Sequence, residues 1–113
     1  MSTTNSLSNF LDISSLDFSN PNEITTTLIK TKTVRIERIV SYGQISENWY
    51  NQDQDEWLVL LQGNASLLYE NGLEIFLSKG DSLHIPAHQK HKVTFTSANP
   101  PCIWLAIFYE SEN

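Results

Sequence analysis

Turn signals recur every eight to twelve residues along most of this chain, a spacing that leaves room for short strands and little else. Gln62-Gly63-Asn64, Asn71-Gly72 and Lys79-Gly80-Asp81 each interrupt an apolar run, and Pro86 stops another. Both residues of an Asn-Gly pair tolerate positive φ, so Asn71-Gly72 is the strongest hairpin signal present. Between the turns the pattern is that of strands. Residues 24–30 are Thr-rich and β-branched. Residues 34–40 alternate apolar and charged side chains at the start, as a strand with one wet face does. Residues 57–61 form a continuous apolar run, short enough for a strand buried on both faces. Residues 65–69 and 73–77 flank the Asn-Gly turn, and residues 82–85 end at the proline. Further on, His91, Val93 and Phe95 are expected on one face and Lys92, Thr94 and Thr96 on the other. Residues 103–109 form the last strand. No stretch combines a 3.6-residue apolar period with helix caps.

Many short strands with frequent turns imply an all-β sandwich or barrel, whose closure removes exposed edges. The Cys–Trp–Cys core of an immunoglobulin-type sandwich is absent. A closed or two-sheet roll is therefore expected over residues 24–113. Residues 1–23 are rich in Ser, Asn and Thr, and carry only short apolar clusters, at Phe10-Leu11, Ile13, Leu16 and Phe18. They read as an N-terminal arm that docks in part, as a strap or one helical turn with Ser8 as its N-cap.

A net charge of −6, with seven basic residues in two loose groups, argues against nucleic acid or an anionic membrane as a partner. No apolar stretch approaches the length of a membrane span or a secretory leader, so a cytoplasmic protein is expected. The single cysteine, Cys102, lies beside an apolar run and reads as a buried structural thiol.

All three histidines, His84, His88 and His91, fall within eight positions of the stretch GDSLHIPAHQKH. In that stretch Gly80, Pro86 and His91 match the pattern G-x5-P-x-G-x2-H-x3-N. Upstream, Gly43, Glu56 and Gly63 match the frame of G-x5-H-x-H-x3,4-E-x6-G, through EWLVLLQG. With these two motifs the chain resembles the cupin superfamily, whose small members are jelly-roll barrels built as a double-stranded β-helix. The two histidines of the first motif are replaced. Counting from Gly43 puts Trp49 and Asn51 in their places, and counting back from Glu56 puts Tyr50 and Gln52 there. In the second motif His88 stands where glycine is usual and Phe95 where asparagine is.

The resemblance implies a small-molecule ligand inside the barrel, with a divalent metal held by the matched residues Glu56 and His91. Gln52 is the best substitute ligand and Asn51 its rival. By ligand type such a set suits Zn, Ni, Mn or Fe. The same pair read without metal is an acid–base pair, with Glu56 and His91 as catalytic residues of a sugar isomerase- or epimerase-like enzyme. Trp49, Tyr50, Asn51 and His88 are candidates for the cavity wall or its rim. Asp53 and Asp55 read as a solvated loop, and His84 as structural. Catalysis stays open, because the family also contains non-catalytic sensors and dimerisation modules. Small members commonly pair through their sheets, so a homodimer is expected.

Overall fold

A computed structural model describes residues 7–112. Eight strands run in the order β1 Ile24–Lys30, β2 Val34–Ser41, β3 Asp55–Gln62, β4 Ala65–Tyr69, β5 Glu74–Leu77, β6 Ser82–Ile85, β7 His91–Thr96 and β8 Cys102–Tyr109. They form two antiparallel sheets, one of five strands ordered β1-β2-β8-β3-β6 and one of three ordered β5-β4-β7. This is the jelly roll that the turn spacing implies. Among the described residues no helix is long and apolar enough to cross a membrane.

The core lies between the sheets. Leu58, Leu60, Leu67, Leu77, Ile85, Trp104 and Phe108 pack there, together with the smaller Ala65, Cys102 and Ala106. Cys102 is fully buried, its Sγ 3.2 Å from the Asn64 carbonyl, so it packs as a small apolar residue. Asn71-Gly72 makes the β4–β5 hairpin: Tyr69 N–H donates to the Leu73 carbonyl at 2.8 Å, and Gly72 N–H to the Tyr69 carbonyl at 2.9 Å.

Two strands depart from the sequence reading. β3 is not buried on both faces: Glu56, Leu58 and Leu60 point inward, while Trp57 is 37% exposed on the outside. Its continuous apolar run combines a core face with a half-covered outer face. In β7 the alternation breaks. Ser66 pairs with Phe95 and the next residue, Leu67, with Val93, so Thr94 is an extra, bulged residue. His91 and Val93 keep the inner face, Phe95 turns out, and Thr96 turns in. There Thr96 Oγ1 accepts from Gly43 N–H at 3.0 Å and donates to the Gln44 carbonyl at 2.7 Å.

Of the two readings of the N-terminal segment, its described part follows the docked arm: it forms consecutive turns, and no helical turn follows Ser8. Side-chain oxygens of Asn9, Asp12, Asp17 and Asn20 each accept the backbone N–H two residues on, at 2.9–3.0 Å. Such local bonds compete with helix formation. The segment is strapped to β2 and the loop after it. Arg38 Nη1 donates to the carbonyls of Phe10 and Asp12 at 3.2 Å, and Phe18 meets Tyr42 edge to face at 5.1 Å.

Candidate functional site

Cross-strand register sets the floor of the hollow between the sheets. Arg35 pairs with Phe108, Phe108 with Glu56, and Glu56 with Ile85, giving one row across β2, β8, β3 and β6. The adjacent inward row is Glu37, Ala106, Leu58 and Leu83. The short side chain of Ala106 leaves space that a larger residue would fill. Tyr50, Gln52, His91 and Val93 close the opposite side of a cavity of about 280 Å³.

Glu56 and His91 face each other in this cavity, with Glu56 Oε1 3.9 Å from His91 Nε2 and side chains only 8% and 6% exposed. That separation is too long for a hydrogen bond. Loss of water pushes the Glu56 carboxyl up to about 7, against the hydrogen bond that Gln52 Nε2 donates to Oε1 at 3.0 Å. Burial likewise pulls the His91 imidazole below its usual value, partly opposed by its bond to the Gln89 carbonyl. Both shifts favour the neutral forms, so near pH 7 this is a carboxyl beside a neutral imidazole more than an ion pair. The tautomer follows from geometry. His91 Nδ1 lies 2.9 Å from the Gln89 carbonyl and must carry the proton, which leaves Nε2 with a bare lone pair aimed at the carboxyl.

Of the two ways of counting the first motif, the structure places Tyr50 and Gln52 at the cavity and Trp49 and Asn51 outside it. Tyr50 and His91 exchange backbone hydrogen bonds at 2.7 and 3.2 Å, which seats the Tyr50 ring 5.6 Å from the imidazole. Trp49 instead stacks under Lys92 Nζ at 4.5 Å. Asn51 Oδ1 accepts from His88 Nδ1 at 3.1 Å on the loop beside the mouth. His88 is therefore a rim-loop residue that does not line the hollow. Asp53 is solvated, with its side chain 95% exposed, whereas Asp55 Oδ1 accepts the Ala87 N–H at 2.7 Å and ties the Pro86 turn to β3. His84 is exposed on the outer face, 3.0 Å from the Tyr109 hydroxyl.

Arg35, Glu37 and Glu23 are cavity residues that sequence reasoning missed. Arg35 and Glu37 produce the alternation that reads as a wet strand face, but the wet face is the cavity. Arg35 lies over the Phe108 ring at 4.2 Å, with Nε 2.8 Å from Glu37 Oε2. The contact is Coulombic, because the N–H is not aimed along it and Nε is left without a hydrogen-bond partner. Glu23 is exposed as a residue, yet its carboxyl turns inward to accept from Ser41 Oγ at 3.2 Å, and loss of water there raises its pKa.

A family profile described as "Cupin domain" matches residues 37–108. The chain belongs to the cupin family. A Ralstonia eutropha JMP134 protein described as a "putative mannose-6-phosphate isomerase" is 34% identical, with a TM-score of 0.84 over 93% of this chain and 98% of that one. A cupin superfamily protein from Desulfitobacterium hafniense DCB-2 superposes with a TM-score of 0.71 at 20% identity, covering 87% of this chain and 86% of its own. A Klebsiella pneumoniae subsp. pneumoniae MGH 78578 protein with a double-stranded β-helix domain gives 0.75 at 17% identity, over 94% and 90% of the two chains. No match was found among the curated proteins.

The cupin motifs acquire physical meaning here. Gly63 sits at φ +92°, where an added Cβ would lie 2.8 Å from Ser97 Oγ and 2.9 Å from Cys102 Sγ. His88 occupies the usual glycine position with φ 66°, a left-handed conformation that costs an L residue about 1–2 kcal/mol. As for a metal, His91 is met at the pair only by the Glu56 carboxyl and, through it, the Gln52 amide, while Glu37 is engaged by Arg35 and Glu23 by Ser41. The Gln52 nitrogen, not its oxygen, faces Glu56. Among the described residues no three His, Cys, Asp or Glu side chains converge. This donor set does not fit the closed ligand shell of a tightly held divalent ion.

Proposed function

We propose that this cupin binds a small polyhydroxy carbonyl compound in its barrel and moves a proton along it, as in aldose–ketose isomerisation. One observation carries the reading: the bare Nε2 of His91 faces a carboxyl poised near pH 7 across 3.9 Å of a cavity wall. Two groups that far apart can each touch one of two neighbouring substrate atoms. His91 Nε2 takes the proton from carbon beside the carbonyl while Glu56 gives its proton to the carbonyl oxygen, leaving an enediol and a His91 imidazolium beside a Glu56 carboxylate. The imidazolium then returns its proton to the former carbonyl carbon, and Glu56 recovers one from the hydroxyl on the carbon that His91 deprotonated, whose oxygen becomes the new carbonyl. Tyr50 and Gln52 orient the pair, and the name of the Ralstonia relative supports the reaction class.

Exchange of solvent deuterium into carbon-bound positions tests it. Mannose, fructose, glucosamine and mannose 6-phosphate are incubated with the protein in D2O and followed by NMR. Enzyme-dependent exchange at the carbon next to the carbonyl of at least one compound is expected, with loss in both His91→Gln and Glu56→Gln. Exchange with none of them, or exchange that survives either substitution, removes the assignment.

A second reading, a weakly held divalent ion on Gln52, Glu56 and His91, draws on the locked Nδ1–H, an arrangement common in metal-binding histidines. Elemental analysis of untagged protein decides it. A full equivalent of metal, lost in His91→Ala, would put this reading first.

A further inference from the structure

Carboxyls outnumber the donors open to a ligand on the cavity wall: the Tyr50 and Thr25 hydroxyls line it, and Arg35 Nε, though without a hydrogen-bond partner, is buried against Glu37. Its inward carboxyls are Glu23, Glu37 and Glu56, and the imidazole presents a bare Nε2 although its side chain is only 6% exposed. The amide nitrogen of Gln52 is already directed to Glu56. Among the described residues Arg35 is the one cation lining the hollow, and it is held between the Glu37 carboxylate at 2.8 Å and the face of Phe108. Acidic clusters alone attract cations without making a site. The unpartnered Nε2 is the independent sign that a donor atom belongs in this one. A phosphate or carboxylate entering here would face two or three carboxyls, with its only countercharge already engaged. Opposite charges a few ångströms apart in a part-buried hollow discriminate strongly.

Resting on the reading that this cavity is the ligand site, we propose that its ligand is donor-rich and carries an ammonium group or no charge, and that the Arg35–Glu37 pair excludes phosphate esters and carboxylates. The site thus departs from what the name of the Ralstonia relative would suggest about its substrate. The amine is set against Glu37 and the rim carboxyl of Glu23, while ligand hydroxyls face Glu56 and His91. Arg35 stays closed by Glu37 so long as that carboxylate is intact.

Three probes of nearly equal size separate charge from shape: ethanolamine, ethylene glycol and glycolate. Each is titrated into the full chain at low salt, and binding is read from the NMR signals of the His91 ring and the Gln52 side-chain amide. Ethanolamine should bind about tenfold or more tighter than glycolate, with the glycol between them. In Glu37→Gln, Arg35 is freed, so glycolate should gain and ethanolamine lose until the order closes or inverts. Glycolate binding as tightly as ethanolamine in the unmodified protein, no binding by any of the three, or an order untouched by Glu37→Gln would each overturn the proposal. Failure of deuterium exchange alongside the expected charge order would remove the proton-transfer function and leave this ligand preference standing.

Discussion

At the scale of single residues, Glu56 and His91 contribute to stability with opposite dependence on pH, and substitution separates them. The Glu56 carboxyl is raised from 4.5 to about 7 on folding. Between those values the folded chain holds a proton that the unfolded chain has lost, so its contribution is complete below about 4.5 and is lost as pH rises through 7. The loss amounts to about 3 kcal/mol at 1.36 kcal/mol per pK unit. His91 is depressed below 6.5, so its contribution is full above that value and is lost as pH falls through the folded pKa. In the unmodified protein the two partly cancel. Glu56→Gln should therefore be more stable than the parent at pH 8 by about 1–3 kcal/mol, and should lose less stability between pH 5 and 7 than the parent does. Urea titrations at several pH values measure this; a substituted protein less stable than its parent at pH 8 would show that the carboxyl is not held against its own ionisation. The pair itself was legible, because Glu56 and His91 sit in motif frames that glycine and proline turns anchor. The choice of Gln52 over Asn51 was not, since an irregular loop precedes β3 and alternation has no fixed phase there. Arg35 and Glu37 were hidden for a related reason: alternation tells which side chains share a face, not which face looks into the barrel.

Among the elements, the strands were readable because turn chemistry brackets them, and the errors lie where geometry breaks period two without a sequence mark. The bulge at Thr94 sends Phe95 outward, although nothing in HKVTFT distinguishes it from a regular strand. The β3–β4 turn is the opposite case, where one residue type is dictated by both backbone and neighbours. Any side chain at Gly63 must adopt φ +92° and also displace Ser97 Oγ and Cys102 Sγ, with the Cys102 Cα at 3.0 Å behind them. Ser97 Oγ accepts the Asn64 N–H at 3.1 Å, so moving it also loosens the turn. Gly63→Ala should cost about 2–4 kcal/mol, the sum of an unfavourable φ and a small overpacking. Gly72→Ala tests the backbone part alone: its φ is +93°, but no atom lies within 4 Å of an added Cβ. Thermal or urea denaturation should rank Gly63→Ala clearly below Gly72→Ala, and equal losses would mean that close packing at Cys102 contributes nothing.

For the whole molecule, the outer face of the five-stranded sheet is the surface we propose for self-association. Arg38, Val40 and Ile103 share one end of that face, and the N-terminal segment is anchored there through Arg38. Val40 and Ile103 are fully buried on the same face as that anchor. The other end carries the row Ile36, Ile107 and Trp57, half-covered and continuous across three strands. An apolar row of this kind, centred on a tryptophan, is the sort of surface that identical subunits bury by a two-fold axis. A homodimer through this face is therefore the expected assembly. Light scattering should give about 26 kDa, twice the 12.9 kDa of one chain. Trp57→Glu should give the single-chain mass, because it would bury two like charges near the axis. With a net charge of −6 on each copy, added salt should tighten the association by screening. The strap is expected to make a separate contribution, through its bonds to Arg38 and the Phe18–Tyr42 contact. Deleting residues 1–22 should leave the mass unchanged but lower stability by about 3–5 kcal/mol, the value of exposing one valine and one isoleucine. A full-length chain that scatters as a single copy at 100 µM removes the sheet face as an interface, and a deletion that abolishes pairing transfers that role to the strap.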